Sequence, residues 1–251
     1  MNIKALLGLP DVLNVKKVIA VQPHPDDNEV NIAGTLLELS QRGAEIVYVT
    51  VTDGRAGAWG DVQNPDEIVA VRKEEKERAG DIIGVNKHID LGFPDGGVYS
   101  VDEVTSQLVN VFRMERPDMV FSVDPWMPYE AHPDHVKVGQ AVSRAVLFSN
   151  NTIIYPNVNH EPWQVPQIAY YATSYPNTWM DITPHFERKI ESIIAHKSQF
   201  DNETWSFVKL YFTQAASEAY KHISQDGTGF AEALKVLAHL ELHSIPTTVF
   251  S

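Results

Sequence analysis

Val18-Ile19-Ala20-Val21-Gln22-Pro23-His24-Pro25-Asp26-Asp27-Asn28-Glu29 runs from four apolar residues straight into a histidine, two aspartates and a glutamate, held between prolines. The apolar part is short, continuous and rich in β-branched residues, the pattern of a strand buried on both faces. Downstream, Ile32, Ala33, Leu36, Leu37 and Leu39 recur at helical spacing over Val30 to Arg42, and Gly43 stands where a helix C-cap belongs. Glu45 to Thr52 is a second β-branched run. Strand, helix and strand in this order form the unit from which parallel sheets are built.

The pattern continues outward. Asp53 to Gly60 is a glycine-rich loop without the Gly-Lys-Ser/Thr ending of a P-loop. Glu67 to Ile83 reads as a helix with Ile68, Val71, Ala79, Ile82 and Ile83 on one stripe. Arg72 and Glu75 fall inside that stripe, where an unpaired charge is costly. Either they pair with each other at i, i+3, or Arg72 reaches a functional site. Lys87 to Leu91 is a third strand, Val101 to Met114 a helix stopped before Pro117, and Met119 to Val123 a fourth strand. A proline-rich loop, Asp124 to Ala131, leads into His132-Pro133-Asp134-His135, and Val136 to Phe148 continues as helix. Beyond it, Thr152 to Tyr155, Ile168 to Thr173 and Thr178 to Ile182 read as strands. Pro184 to Lys197 (with Thr183 as N-cap), Thr204 to Ile223 and Phe230 to His243 read as helices.

The expected fold is α/β and Rossmann-like: a mostly parallel sheet with helices on both faces. No linker-like or repetitive segment divides the 251 residues. The expectation is one domain over 1–251, with a core of about 16–200 and a helical C-terminal extension of about 201–251. A net charge of −13 argues against nucleic acid or an anionic membrane surface as partner. With no cysteine, thiolate metal sites and disulfides are excluded, and any metal must be held by His, Asp or Glu. The apolar run Ala5 to Leu9, interrupted by Gly8, is too short for a signal segment, so the chain reads as a soluble, cytoplasmic protein. Trp163, Trp179 and Trp205 are read as exposed aromatics that form an oligomer interface or a substrate cleft.

Each charged cluster follows directly after a strand: His24–Asp27 the first, Asp53–Gly60 the second, Asp95–Gly97 the third, Asp124–His135 the fourth. In an open parallel sheet those loops share one edge, where ligands bind. His24 and Asp27 are three residues apart at the turn into a helix, and His132 and His135 repeat that spacing. A cysteine-free His₂Asp set with one open coordination position has the character of a catalytic zinc site. It leaves a carboxylate, Asp26, to take a proton from water, and an imidazole, His132, to stabilise an oxygen that becomes negative. The competing readings are an N-cap role for Asp26 or Asp27 and a structural role for a strand-end histidine. No Gly-x-Ser-x-Gly, His-Glu-x-x-His or Gly-x-Gly-x-x-Gly pattern points elsewhere.

Pro23-His24-Pro25-Asp26-Asp27-Asn28-Glu29, Thr52-Asp53-Gly54, Gly92-Phe93-Pro94-Asp95-Gly96 and His132-Pro133-Asp134-His135, in that order, resemble the PIG-L/LmbE-like family over about Val18 to His196. Members of that family are metal-dependent deacetylases acting on N-acetylglucosamine units. The resemblance implies His24, Asp27 and His135 as ligands of zinc (or another divalent ion such as iron), Asp26 as general base, and His132 as oxyanion stabiliser or acid. It implies Asp134 as the residue tuning His132, and Arg72 and Asp95 as binders of substrate hydroxyls. His196-Lys197-Ser198-Gln199 resembles a His-x-Ser-Gln stretch near the family's site, which makes His196 a further substrate-binding candidate. Tyr129 stands three residues before His132, where several members carry a tyrosine nearby. The implied partner is a small amino-sugar substrate, with a homo-oligomer expected. The alternatives are a metal-dependent lyase or hydratase on the same fold, and a non-catalytic sugar-binding protein.

Overall fold

The computed structural model describes residues 3–57, 64–156, 160–225 and 228–245. After a short helix α1 (Ile3–Leu6), the elements run β1 (Lys17–Gln22), α2 (Asp27–Gln41), β2 (Glu45–Thr52), α3 (Pro65–Ile83), β3 (Lys87–Phe93), α4 (Val101–Glu115), β4 (Met119–Val123), α5 (Pro133–Phe148) and β5 (Gln167–Tyr171). There follow β6 (Thr178–Asp181), α6 (Phe186–Ile194), the single turn α7 (Lys197–Phe200), α8 (Trp205–Tyr220) and β7 (Ala231–Ala238). The sheet order is β3-β2-β1-β4-β5-β7-β6. β1 to β5 are parallel, and β7 runs antiparallel between β5 and β6.

Alternating strand residues feed two cores. Val18 and Ala20 of β1 join Ile32 and Leu36 of α2 and Ile190 and Ile193 of α6 on one face. Ile19 and Val21 join Leu108 and Phe112 of α4 and Val138 and Val142 of α5 on the other. This is the mostly parallel, doubly covered sheet expected from the runs of β-branched residues. The winding reverses between β1 and β4, so a crevice opens where those two strands end. Gly139 lets α5 settle there: a Cβ at this position would lie 2.7 Å from the Val123 carbonyl oxygen and 2.9 Å from Pro125. The close approach brings the N-terminus of α5 over the end of β4. No helix among the described residues is long and apolar enough to cross a membrane.

Five expectations are corrected. Phe230–His243 is not a helix: it is strand β7 followed by a 3₁₀ turn, His239–Leu242. The C-terminal part of the chain therefore keeps one expected helix, α8, but adds a strand to the sheet instead of being helical throughout. Its Ala, Glu, Leu and Lys residues favour helix, but the slot between β5 and β6 demands a strand buried on both faces, where periodicity carries no signal. Glu232 anchors it, accepting hydrogen bonds from Gly34 N (2.9 Å), Thr35 N (2.7 Å), Thr35 Oγ1 (2.6 Å) and Lys189 Nζ (2.6 Å). Thr152–Tyr155 is not a strand, because the Asn151 carboxamide accepts from Ile153 N and Ile154 N and bends the chain there. Thr183 does not cap α6; its hydroxyl accepts from Phe230 N at 3.0 Å, and the segment opens as a 3₁₀ turn over Thr183–His185. On α3, Val71 is exposed, and the buried line is Arg72, Glu75, Lys76, Ala79, Gly80 and Ile83. Trp163, Trp179 and Trp205 are half-buried within the chain: Trp163 donates to Pro117 O, Trp179 stacks on His222, and Trp205 packs against Phe200.

Candidate active site

A cavity of about 270 Å³ lies at the crevice, lined by His24, Asp26, Asp27, Ala56, Gly57, Arg72, Asp95, His132 and Gln199. The turn after β1 folds His24 back onto Asp27, whose Oδ2 accepts from His24 N at 2.7 Å and lies 3.3 Å from His24 Nδ1. Asp27 Oδ1 lies 3.4 Å from His135 Nε2. Ligand atoms of His24, Asp27 and His135 thus fall within 4.8 Å of one another. Asp26 is the N-cap residue of α2, yet its side chain makes no capping bond. Its Oδ2 instead meets Arg72 Nη2 at 3.1 Å.

Each of the two histidines has its second ring nitrogen against a further carboxylate. His24 Nε2 lies 3.2 Å from Asp95 Oδ1 and 3.4 Å from Asp134 Oδ2. His135 Nδ1 lies 2.9 Å from Glu130 Oε2. A carboxylate behind an imidazole selects the tautomer and orientation of a metal ligand. A second group, His24, Asp95, His132 and Asp134, also brings ligand atoms together. Its carboxylates are already engaged: Asp134 accepts from Tyr99 Oη (2.6 Å) and Gly96 N (2.7 Å), and Asp95 from Ala56 N (3.1 Å).

His132 is the N-cap of α5, and its Nδ1 accepts from Asp134 N at 3.3 Å. A neutral ring held this way carries its proton on Nε2. Partial burial, with His24 and His135 nearby, holds its pKa below the ordinary histidine value. Burial also opposes charge on His24, but Asp134, Asp27 and Asp95 outweigh it and push that imidazole up to about 12. For Asp27 burial works upward, and hydrogen bonds from His135 and His24 carry the carboxyl well below its usual range. Burial raises Asp26 more than the Arg72 guanidinium lowers it, so this carboxyl stands above the usual aspartate value. The pattern is a surplus of carboxylates drawing positive charge onto histidine nitrogens, which a divalent cation satisfies equally well.

Several expected roles look different once placed. The side chain of Asp134 lies on His24, and it touches His132 only through its backbone N–H. Arg72 does not pair with Glu75. Its guanidinium donates to Gly54 O (3.0 Å) and Pro25 O (3.2 Å) and faces Asp26, while Glu75 accepts from Ser198 N (2.9 Å) and Oγ (2.6 Å). A Cβ at Gly57 would sit 2.2 Å from Arg72 Nη1, so glycine there makes room for the guanidinium. His196 is fully buried and does not line the cavity; its Nε2 faces Glu29 Oε2 at 3.3 Å. Its neighbour Gln199 does reach the cavity, donating to Gly57 O at 2.6 Å. Tyr129 is fully exposed. Two contributors escaped the sequence reading: Gln199, within the quoted His196–Gln199 stretch, and Glu130, five residues before His135 on the proline-rich loop.

Residues 19–146 match the family model described as PIG-L: GlcNAc-PI de-N-acetylase. The chain is 33% identical over 240 residues to the diacetylchitobiose deacetylase of Thermococcus kodakarensis, covering 93% of this chain and 87% of that one. It is 28% identical over 213 residues to the probable N-acetyl-alpha-D-glucosaminyl L-malate deacetylase 2 of Bacillus anthracis, covering 79% and 88%. Among solved structures, the N,N'-diacetylchitobiose deacetylase of Pyrococcus horikoshii, complexed with its inhibitor MPG, matches with a TM-score of 0.88 at 31% identity. That match covers 100% of this chain and 98% of the other.

Proposed function

The chain belongs to the PIG-L family of GlcNAc-PI de-N-acetylases, and from that premise we propose how its cavity releases acetate from an N-acetylglucosamine-containing substrate. It is a metal-dependent deacetylase. The finer reading is a zinc enzyme in which His24, Asp27 and His135 hold the ion. The observation that carries this is the double arrangement of His24 and His135, each with one nitrogen at Asp27 and the other at a second carboxylate. When bound, the divalent ion supplies a Lewis acid that acidifies water towards a pKa of about 7 and polarises the amide carbonyl.

The protein's own groups do the rest. Asp26, free of capping duty and made more basic by burial, takes the proton of the attacking water. Arg72 aims it, since the guanidinium is fixed by two backbone carbonyls. His132 donates its Nε2 proton in a hydrogen bond to the carbonyl oxygen as that oxygen becomes negative. The C–N bond then breaks, and the proton held by Asp26 passes to the departing amine. Acetate and the free amino sugar are the products. A cavity of about 270 Å³ suits one sugar ring with its acetamide, leaving the remainder of the substrate outside. Asp95 and Gln199 line its wall, and in this reading they meet the ring hydroxyls.

The test is acetate release from a panel of N-acetylglucosaminides, including diacetylchitobiose, alongside metal analysis of the purified chain. Release of acetate with about one zinc per chain is expected. A chain that hydrates a double bond without releasing acetate, or that carries no stoichiometric metal, defeats the reading.

A further inference from the structure

Glu130 follows Tyr129, a non-glycine residue at φ 68°, in the left-handed region that L side chains rarely adopt. Two turns precede it, Met127 N to Asp124 O at 3.4 Å and Glu130 N to Met127 O at 3.3 Å. Together they bring Glu130 to the N-terminus of α5. There the carboxylate divides its oxygens: Oε1 accepts from His132 N at 2.7 Å, and Oε2 lies 2.9 Å from His135 Nδ1. Among the described residues no arginine or lysine pairs with it; both bonds go to the two histidines of the second cluster. A strained backbone held open for one side chain marks a position that the surrounding structure over-determines.

We propose that Glu130 is the positioning residue of the second histidine cluster, setting the ring of His135 through one oxygen and the backbone of His132 through the other. The assignment rests on the metal reading above. With Nδ1 of His135 bonded to Glu130, only Nε2 is left to face Asp27, and the neutral ring is held as the Nδ1–H tautomer. The same carboxylate anchors the residue whose ring stacks on His135 at a centroid distance of 5.0 Å. Glu130 is not itself among the residues lining the cavity, so its effect passes through the two histidines.

The experiment is competition between the purified protein and a chromophoric chelator for zinc. It compares the parent, Glu130→Gln, Glu130→Ala and Asp27→Ala, with thermal melts of the metal-free proteins run in parallel. Glu130→Ala is expected to bind zinc about 10- to 100-fold more weakly than the parent, with little change in the metal-free melt. Glu130→Gln, which keeps one acceptor oxygen for two donors, is expected to fall between them. A Glu130→Ala protein that is folded and binds zinc as tightly as the parent overturns the assignment while leaving the metal reading intact. A loss of affinity matched by an equal loss of metal-free stability also overturns it, since the residue is then a general support. A parent that binds zinc no better than Asp27→Ala overturns the metal reading itself, and this one with it.

Discussion

Where β1, β2 and β3 begin, Lys17 meets Glu45 at 2.9 Å and Glu115 at 2.8 Å, and Lys87 meets Glu115 at 2.5 Å. Asp118, just before β4, accepts from Lys16 N and Lys17 N. Where β1, β3 and β4 end, Asp26, Asp27, Asp95, Glu130 and Asp134 crowd around His24, His132 and His135, with the guanidinium of Arg72 among them. Both edges are rich in charge. At the starting edge each carboxylate has its ammonium or backbone donor, and nothing more is needed. At the finishing edge carboxylates outnumber the fixed cations, and the imbalance is held in place by folding. Partnered charge supports structure; surplus charge of one sign, in a crevice, is a demand for a ligand.

The largest expected effects break the finishing edge. Asp27→Ala removes the carboxylate shared by His24 and His135, so metal content and turnover are lost together. Asp26→Ala retains the metal, while acetate release falls by about 10²- to 10⁴-fold, the range of general-base catalysis. Metal analysis and an acetate assay on both variants separate the two aspartates. A metal-free Asp26→Ala, or one with most of the parent's turnover, removes the division of labour between them.

Next in size is a buried charge that resembles the starting edge in being fully partnered. Glu232→Ala leaves the Lys189 ammonium and the donors of Gly34 and Thr35 buried without their acceptor. The expected loss is about 3–5 kcal/mol in urea titrations, with turnover of the folded fraction unchanged. A loss below about 1 kcal/mol would show that β7 is held by packing alone.

Glu115 tests the starting edge through pH. Burial works to raise its carboxyl, and hydrogen bonds from Lys17 and Lys87 outweigh burial and hold it below the ordinary glutamate value. A carboxyl depressed by folding contributes its stability in full above the unfolded value of about 4.3. That contribution is lost as pH falls through the lower folded value. Glu115→Gln should therefore cost about 1 kcal/mol near neutral pH, and the gap to the parent should close on acidification below that window. A gap of constant size across the acid limb contradicts the assignment.

The smallest effect concerns Tyr129. Its side chain is fully exposed and its backbone sits in the left-handed region. Tyr129→Gly relieves a left-handed strain of about 1 kcal/mol, largely offset by about 0.5–1 kcal/mol for the freer unfolded chain. The melting temperature should stay level or rise slightly. A clear fall would mean that the tyrosine ring makes contacts the structure does not contain.

Much of this was readable beforehand because the signals are local. β1, β2 and β4 are largely apolar, β-branched runs, β3 alternates apolar with polar residues, and each is followed by its charged cluster within a few residues. Parallel topology then places those clusters at one edge without any knowledge of side-chain contacts. That argument and the repeated spacing of three bring His24, Asp27, His132 and His135 to one centre, while the choice of His135 over His132 beside Asp27 is what the family resemblance implies. Partner choice did not follow. Arg72 has Glu75 nearby on its own helix, yet turns to Asp26 across 46 positions of sequence. Asp134 adjoins His132 but bonds His24, and Glu130 supports His135 from a loop whose prolines suggested only rigidity.

Sequence by itself determined the parallel α/β frame, the edge on which the site lies and the chemistry of its donors. Those depend on periodicity and strand order, which are properties of short stretches. Tertiary structure alone decided that Ala231–Ala238 is a strand, that Asp26 is spared from capping and held by Arg72, and that His24 and His135 are each backed by a further carboxylate. These depend on which distant group arrives first at a buried donor or acceptor. Burial makes every such group take a partner, but the choice among candidates is a matter of three-dimensional distance, which spacing along the chain does not encode.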